Sequence, residues 1–284
     1  MEQGNVLTVG QTLQRYRIQF GLLLLLVAAI YANIFPKMVM QWYHDENYSH
    51  GFIVPFIAGY FFWQNRAETL ALTARPSWLG IGVIGLGLAA LTAGFLATEY
   101  FTMRSSFVVL LIGMVLLFLG PVALKAMALP LGYLFFMVPV PAVIYDAAAF
   151  PLKLFVAKVS VLILKLSGIM VVREGNIIML ATTTLEVADA CSGLRSLVSL
   201  IALAVAFAFM TQDGWLKRTV IVSSAIPIAI LTNMFRVVAT GFLAQYWGAG
   251  AAEGFFHEFA GLAVFGMAMV LLIATGALLR RFGR

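Results

Sequence analysis

The chain has 284 residues, 62% hydrophobic and 11% charged, with a formal net charge of +6. Soluble domains carry roughly a quarter charged residues, so this composition excludes a water-soluble protein and predicts a polytopic membrane protein. No polar stretch is long enough for a separate soluble domain, so residues 1–284 read as a single integral membrane domain. One cysteine excludes an intramolecular disulfide, and the modest positive charge reads as loop charge that sets orientation, not as nucleic-acid binding.

Arg15 and Arg17 followed by a Leu-rich run could pass for a signal peptide, but no small-residue cleavage site follows. The run is instead the first predicted span. A spanning helix needs about 20 apolar residues, and candidates fall near 18–36, 51–65, 78–97, 105–121, 123–140, 194–211, 219–245 and 258–279. Gly80, Gly82, Gly85 and Gly87 in the third are expected packing contacts. A further apolar segment, 150–171, carries Lys153, Lys158 and Lys165, which are costly at mid-bilayer.

Loop charges set the expected orientation. Arg15 and Arg17 place the N-terminus inside, and Arg280, Arg281 and Arg284 place the C-terminus inside. The two counts agree only if 150–171 does not cross, so that segment is predicted to lie at the interface or to re-enter. The expectation is all-α, with about eight transmembrane helices, both ends cytoplasmic. After it, Val172-Arg173-Glu174-Gly175-Asn176 reads as a turn, and β-branched residues at Ile177–Leu180 and Thr184–Val187 predict a short outer hairpin or extended pair.

That pair leads into Ala190-Cys191-Ser192-Gly193-Leu194-Arg195-Ser196-Leu197, at the entrance of an apolar helix. A thiol beside a cation or a helix N-terminus has a lowered pKa and becomes a nucleophile; the alternative is a small buried residue. The predicted topology brings four further groups to the same outer side. Arg236 lies within the span 219–245, with Asn233 one turn earlier. It is the only charge placed well inside one of those eight spans, and an intramembrane arginine pairs or lines a wet cavity unless it snorkels to the headgroups. His257 begins the last span and could equally pair with Glu253 or Glu258. His50 heads the second span, where a structural role competes with a supporting one. Arg195 is either a second site cation or a phosphate-facing anchor. A thiol, an imidazole and a guanidinium on one face suffice for acyl transfer. The three scattered histidines and single cysteine offer no metal-binding pattern, and no cofactor is expected.

The Cys191 segment, with Tyr48-Ser49-His50-Gly51-Phe52-Ile53-Val54-Pro55, Arg173-Glu174-Gly175-Asn176, Asn233-Met234-Phe235-Arg236 and Phe256-His257 in this order, resembles the exosortase/archaeosortase family. The resemblance covers most of the chain, and a final His is similar to the bacterial branch. It implies a cysteine protease or transpeptidase with Cys191, Arg236 and His257 in the catalytic roles and Arg195, Asn233 and His50 as supporting candidates. The implied partner is an exported protein carrying a C-terminal PEP-CTERM-like signal: a short Pro-Glu-Pro-like motif, a membrane helix and a basic tail. The implied location is the bacterial inner membrane with the site on its outer side, and the family is associated with exopolysaccharide production. Competing readings are a polysaccharide or lipid export component, and a non-catalytic scaffold that docks a substrate helix.

Overall fold

Prolines mark several helix starts. Pro36, Pro55 and Pro121 each occupy the first turn of a helix, where a missing N–H breaks no intrahelical bond. The computed structural model describes residues 7–181, 183–186, 197–248 and 255–281, the side chains of Glu46, Glu186 and 255–260 excepted. It divides into two compact units, Met1–Pro141 and Ala142–Arg284.

The first unit begins with α1 (Val9–Arg15), capped by the reciprocal Thr8–Gln11 pair, and turns by 80° into α2 (Arg17–Ile30). Then come α3 (Phe35–His44), a 3-10 helix (Glu46–Phe52), α4 (Val54–Gln64) and α5 (Arg66–Ala71). A long hairpin, α6 (Leu79–Leu96) and α7 (Tyr100–Phe118), is followed by α8 (Pro121–Ala126), α9 (Ala128–Tyr133) and a second 3-10 turn (Leu134–Met137).

The α6–α7 hairpin is held by glycine register. A β-carbon on Gly80 would lie 2.4 Å from the Leu117 backbone N, one on Gly87 3.0 Å from Leu110, and one on Gly94 2.8 Å from the Met103 backbone N. Both series step by seven residues, so one glycine face meets one face of α7 along its length, the close approach that small residues permit between membrane helices. Gly113 completes the contact from the other side, against Ile84. The expectation for Gly82 and Gly85 is corrected: nothing lies within 4 Å of a β-carbon at either, because both point away from α7.

The second unit opens with α10 (Ala142–Leu166), followed by strands β1 (Val171–Glu174), β2 (Ile177–Leu180) and β3 (Thr184–Glu186). The strands form an antiparallel sheet in the order β1-β2-β3. The expected pair therefore has a third strand, and the turn is confined to Gly175-Asn176, with Gly175 at φ +61°. Next come α11 (Leu197–Thr211), α12 (Trp215–Trp247) and α13 (Phe255–Arg281). One core joins α10, the sheet and the C-terminal half of α12 through Val156, Leu164, Ile178, Leu185 and Val237. A second joins α11, α12 and α13 through Leu200, Ala204, Ala225, Ala229 and Leu272.

Among the described residues, five helices are long and apolar enough to cross a membrane: α6, α7, α10, α12 and α13 from Gly261. The bent pair α1–α2 would make six. The chain is thus a multi-pass membrane protein, with five to six candidate spans among the described residues against the eight expected. The windows near 18–36, 51–65 and 194–211 hold helices of 14, 11 and 15 residues, short of the roughly 20 that a bilayer needs. The window 123–140 breaks into α8, α9 and a 3-10 turn.

The segment expected to lie at the interface also differs. Its residues up to Leu166 belong to a continuous helix of 25 residues that begins at Ala142. Lys153 sits 3.9 Å from Asp146, two turns earlier on the same helix, and a paired ammonium is less costly in an apolar span than a lone one.

Candidate active site

The described part of the site is built on α12. Asn233 is fully buried and Arg236 only 3% exposed, three residues apart and so on one helix face. Thr232 beside them turns its hydroxyl back to its own helix, donating to the Ile228 carbonyl at 2.9 Å. Arg236 does not reach toward headgroups; its guanidinium is enclosed and engaged within the protein. Asn233 differs: among the described residues neither its amide nitrogen nor its oxygen has a hydrogen-bond partner. Leaving such groups buried and unpaired costs about 1–3 kcal/mol each.

The elements that flank the cysteine segment are anchored on the same helix. Leu185 of β3 packs in the core that contains Val237, with Met234 against it. Leu197 and Leu200, which begin α11, pack with Ile228 and Ala229. The strand before the cysteine segment thus shares a core with Val237, and the helix after it shares one with Ile228 and Ala229. Cys191 and Arg195, between those two anchors, lie outside the described residues. His257 falls in the first turn of α13, its side chain outside the description. Of the six predicted residues, Asn233 and Arg236 are thus brought onto one buried face.

His50 belongs to the first unit, where it serves a different cluster. The 3-10 helix Glu46–Phe52 and α3 hold the chain that follows α9 by its carbonyls. His50 Nε2 donates to Phe136 O at 3.1 Å, Trp42 Nε1 to Met137 O at 2.9 Å, and Tyr48 Oη to Val140 O at 2.8 Å. Gly51 is required beneath Trp42, since a β-carbon there would lie 2.4 Å from the indole nitrogen. His50 is half-buried, and burial pushes its pKa below the ordinary imidazole value, outweighing backbone hydrogen bonds to Phe136 and Asn47 that pull it up.

This shift has a consequence for acid stability. A folded pKa below the unfolded one means that the folded state binds fewer protons. Its contribution is present above the unfolded value, about pH 6.5, and is lost as pH falls through that value towards the folded pKa. In detergent, the drop in unfolding temperature between pH 7.5 and 5.5 is expected to be at least halved in His50→Gln, which keeps a donor for Phe136 O but does not titrate. An equal drop would show that other groups control acid sensitivity.

Sequence reasoning missed Arg104. It falls just before the expected span 105–121, yet Arg104 lies in α7, 6% exposed, so Arg236 is not the only buried cation in a span. The apolar run beginning four residues earlier, at Tyr100, was the available sign of a helix there.

The family model of transmembrane exosortases (Exosortase_EpsH) matches residues 42–274. No curated protein matches, and no solved structure does. The matched region covers most of the chain, from Trp42 of the carbonyl-holding cluster through α12 and into α13, and includes every predicted site residue: the chain belongs to the transmembrane exosortase family.

Proposed function

We propose that this protein is a cysteine-dependent transpeptidase or protease that cleaves C-terminal sorting signals of exported proteins at the outer face of the bacterial inner membrane. Family membership supports the general activity. The observation that carries the mechanism is the buried Asn233–Arg236 face of α12, the helix whose cores also take in residues flanking the Cys191 segment.

In the proposed cycle the Cys191 thiolate attacks the scissile carbonyl carbon. A C–S bond forms as the carbonyl electron pair moves to oxygen, and the Arg236 guanidinium, always charged, stabilises that oxyanion. The intermediate collapses with cleavage of the C–N bond, and His257 gives a proton to the departing amine. Water or an amine then attacks the thioester and releases the processed protein, returning the thiol. Asn233 supports the reading because its amide carries a donor and an acceptor, the complement of a substrate peptide group. Arg195 has a supporting role beside the thiol, and the substrate's membrane helix approaches from the lipid.

The reading is tested with a membrane-impermeant thiol reagent on intact membranes, since Cys191 is the only cysteine. Labelling from the outer side is expected near neutral pH, with its pH midpoint moved up by a unit or more, roughly ten-fold in thiolate fraction, in Arg236→Ala and His257→Ala. Labelling that titrates like an ordinary thiol in wild type and both variants would remove the activated-nucleophile assignment.

A further inference from the structure

The first unit contains a second polar site that the proposed chemistry does not use. A cavity of about 390 Å³ is bounded by α3 and the α6–α7 turn and lined by Asn33, Lys37, Phe95, Thr98, Tyr100 and Arg104 among others. Its volume is in the range of small-ligand sites. Two of its lining residues are cations and none is an acid.

Arg104 is the informative one. It is 94% buried, and its Nε has no hydrogen-bond partner among the described residues. Its Nη1 donates to the neutral Gln41 Oε1 at 2.6 Å, and its guanidinium carbon lies 5.4 Å from the Tyr100 ring centre. The nearest acid in sequence, Glu99, feels the Arg104 charge but forms no ion pair with it. Its carboxylate caps α7, accepting from the backbone N–H groups of Phe101 at 2.9 Å and Thr102 at 2.6 Å. Among the described residues neither Lys37 nor Arg104 forms an ion pair. A buried guanidinium lining a cavity whose two charged residues are both cations is matched by an anion with several oxygen acceptors, the chemistry of phosphate.

The surroundings point to where that phosphate comes from. Phe95 in the wall is 70% exposed and Leu96 beside it 78%; both end α6, a helix apolar enough to span the membrane. A cationic pocket opening beside exposed apolar surface at the end of a membrane helix suits an amphiphile. We infer that the Lys37–Arg104 cavity binds the headgroup phosphate of an anionic membrane phospholipid. This goes beyond the proposed peptidase chemistry and does not depend on it.

The test is native mass spectrometry of the full-length protein released from detergent, with phosphatidylglycerol or zwitterionic phosphatidylcholine added, and inorganic phosphate as competitor. Wild type is expected to retain phosphatidylglycerol in preference to phosphatidylcholine. Retention should weaken about five-fold in Lys37→Gln and at least about ten-fold in Arg104→Gln, as expected for loss of a basic contact near a lipid phosphate. Lys37 is exposed, so its variant keeps the test valid if Arg104→Gln fails to fold. Equal retention of phosphatidylglycerol by wild type and Lys37→Gln would overturn the inference. Equal retention of the two lipids by wild type would also overturn it. Binding of inorganic phosphate that displaces the lipid at millimolar concentration would overturn the lipid assignment in favour of a free anion.

Discussion

Cys191→Ala is expected to abolish processing of a reporter that carries a C-terminal sorting helix, with the protein present at its normal level and its unfolding temperature nearly unchanged. In the proposed cycle the thiolate forms the covalent bond, and no other group in the chain can replace it, since Cys191 is the only cysteine. Loss of a covalent nucleophile removes at least about three orders of magnitude in rate, which an immunoblot for the cleaved reporter reads as no product. The structural effect is small because removing one sulfur changes little volume and the chain on either side is fixed independently, by Leu185 in one core and Leu200 in another. Cys191→Ser should be equally inactive, since a hydroxyl is far less acidic than a thiol. Product formed by Cys191→Ala at more than a few per cent of the wild-type rate would sink the thiol mechanism and favour an export or scaffold role.

Gly120→Ala is expected to be the most damaging single-methyl change to the fold. Gly120 has φ +89° and ψ 179°, a region that is essentially glycine-only and costs other residues about 1–3 kcal/mol. The added β-carbon would also stand 1.8 Å from the Arg75 carbonyl oxygen, and backbone cannot swing aside as a side chain can. That contact belongs to a structural junction: Arg75 N donates to Leu119 O at 3.1 Å and Ser77 N to Leu116 O at 3.2 Å, tying the start of α6 to the end of α7. The two effects together should exceed about 3 kcal/mol, enough to remove most of the monodisperse protein in fluorescence-detected size-exclusion chromatography. Gly132→Ala is the control. Nothing lies within 4 Å of a β-carbon there and its φ is not positive, so the variant should match wild type or gain up to about 1 kcal/mol through reduced unfolded-state entropy. Similar behaviour of the two variants would mean that the junction tolerates rearrangement.

What the sequence disclosed follows from the range of the interactions involved. Membrane character and the polar interruptions at Asn233 and Arg236 are written in composition and local pattern, and the family follows from ordered short motifs. Long apolar helices among the described residues supply five to six candidate spans against the eight expected, and hydropathy averages across breaks in the other windows. Residues 31–34 and Pro55 mark such breaks, yet apolar residues on both sides made continuous windows of them. The lysines of α10 suggested an interfacial or re-entrant segment, because charge was weighed without the pairing of Lys153 to Asp146. Glycines at 80, 82, 85 and 87 present more than one face, and which face is covered depends on Leu110 and Leu117 of another helix. His50 was visible as an unusual residue, but its partner Phe136 is 86 positions away, beyond anything that local spacing encodes.

The glycine register of the α6–α7 hairpin limits how this protein can move. Contacts at 80, 87 and 94 repeat at equal intervals against 117, 110 and 103, so the pair behaves like a toothed rack. A slip of one residue would drive side chains into backbone at three places at once, and the Arg75–Leu119 tie blocks a slip of a whole turn. Lengthwise gliding between these helices is therefore forbidden, and the pair travels as one stiff beam. Any adjustment at the Lys37–Arg104 cavity must come from α3 swinging against that beam.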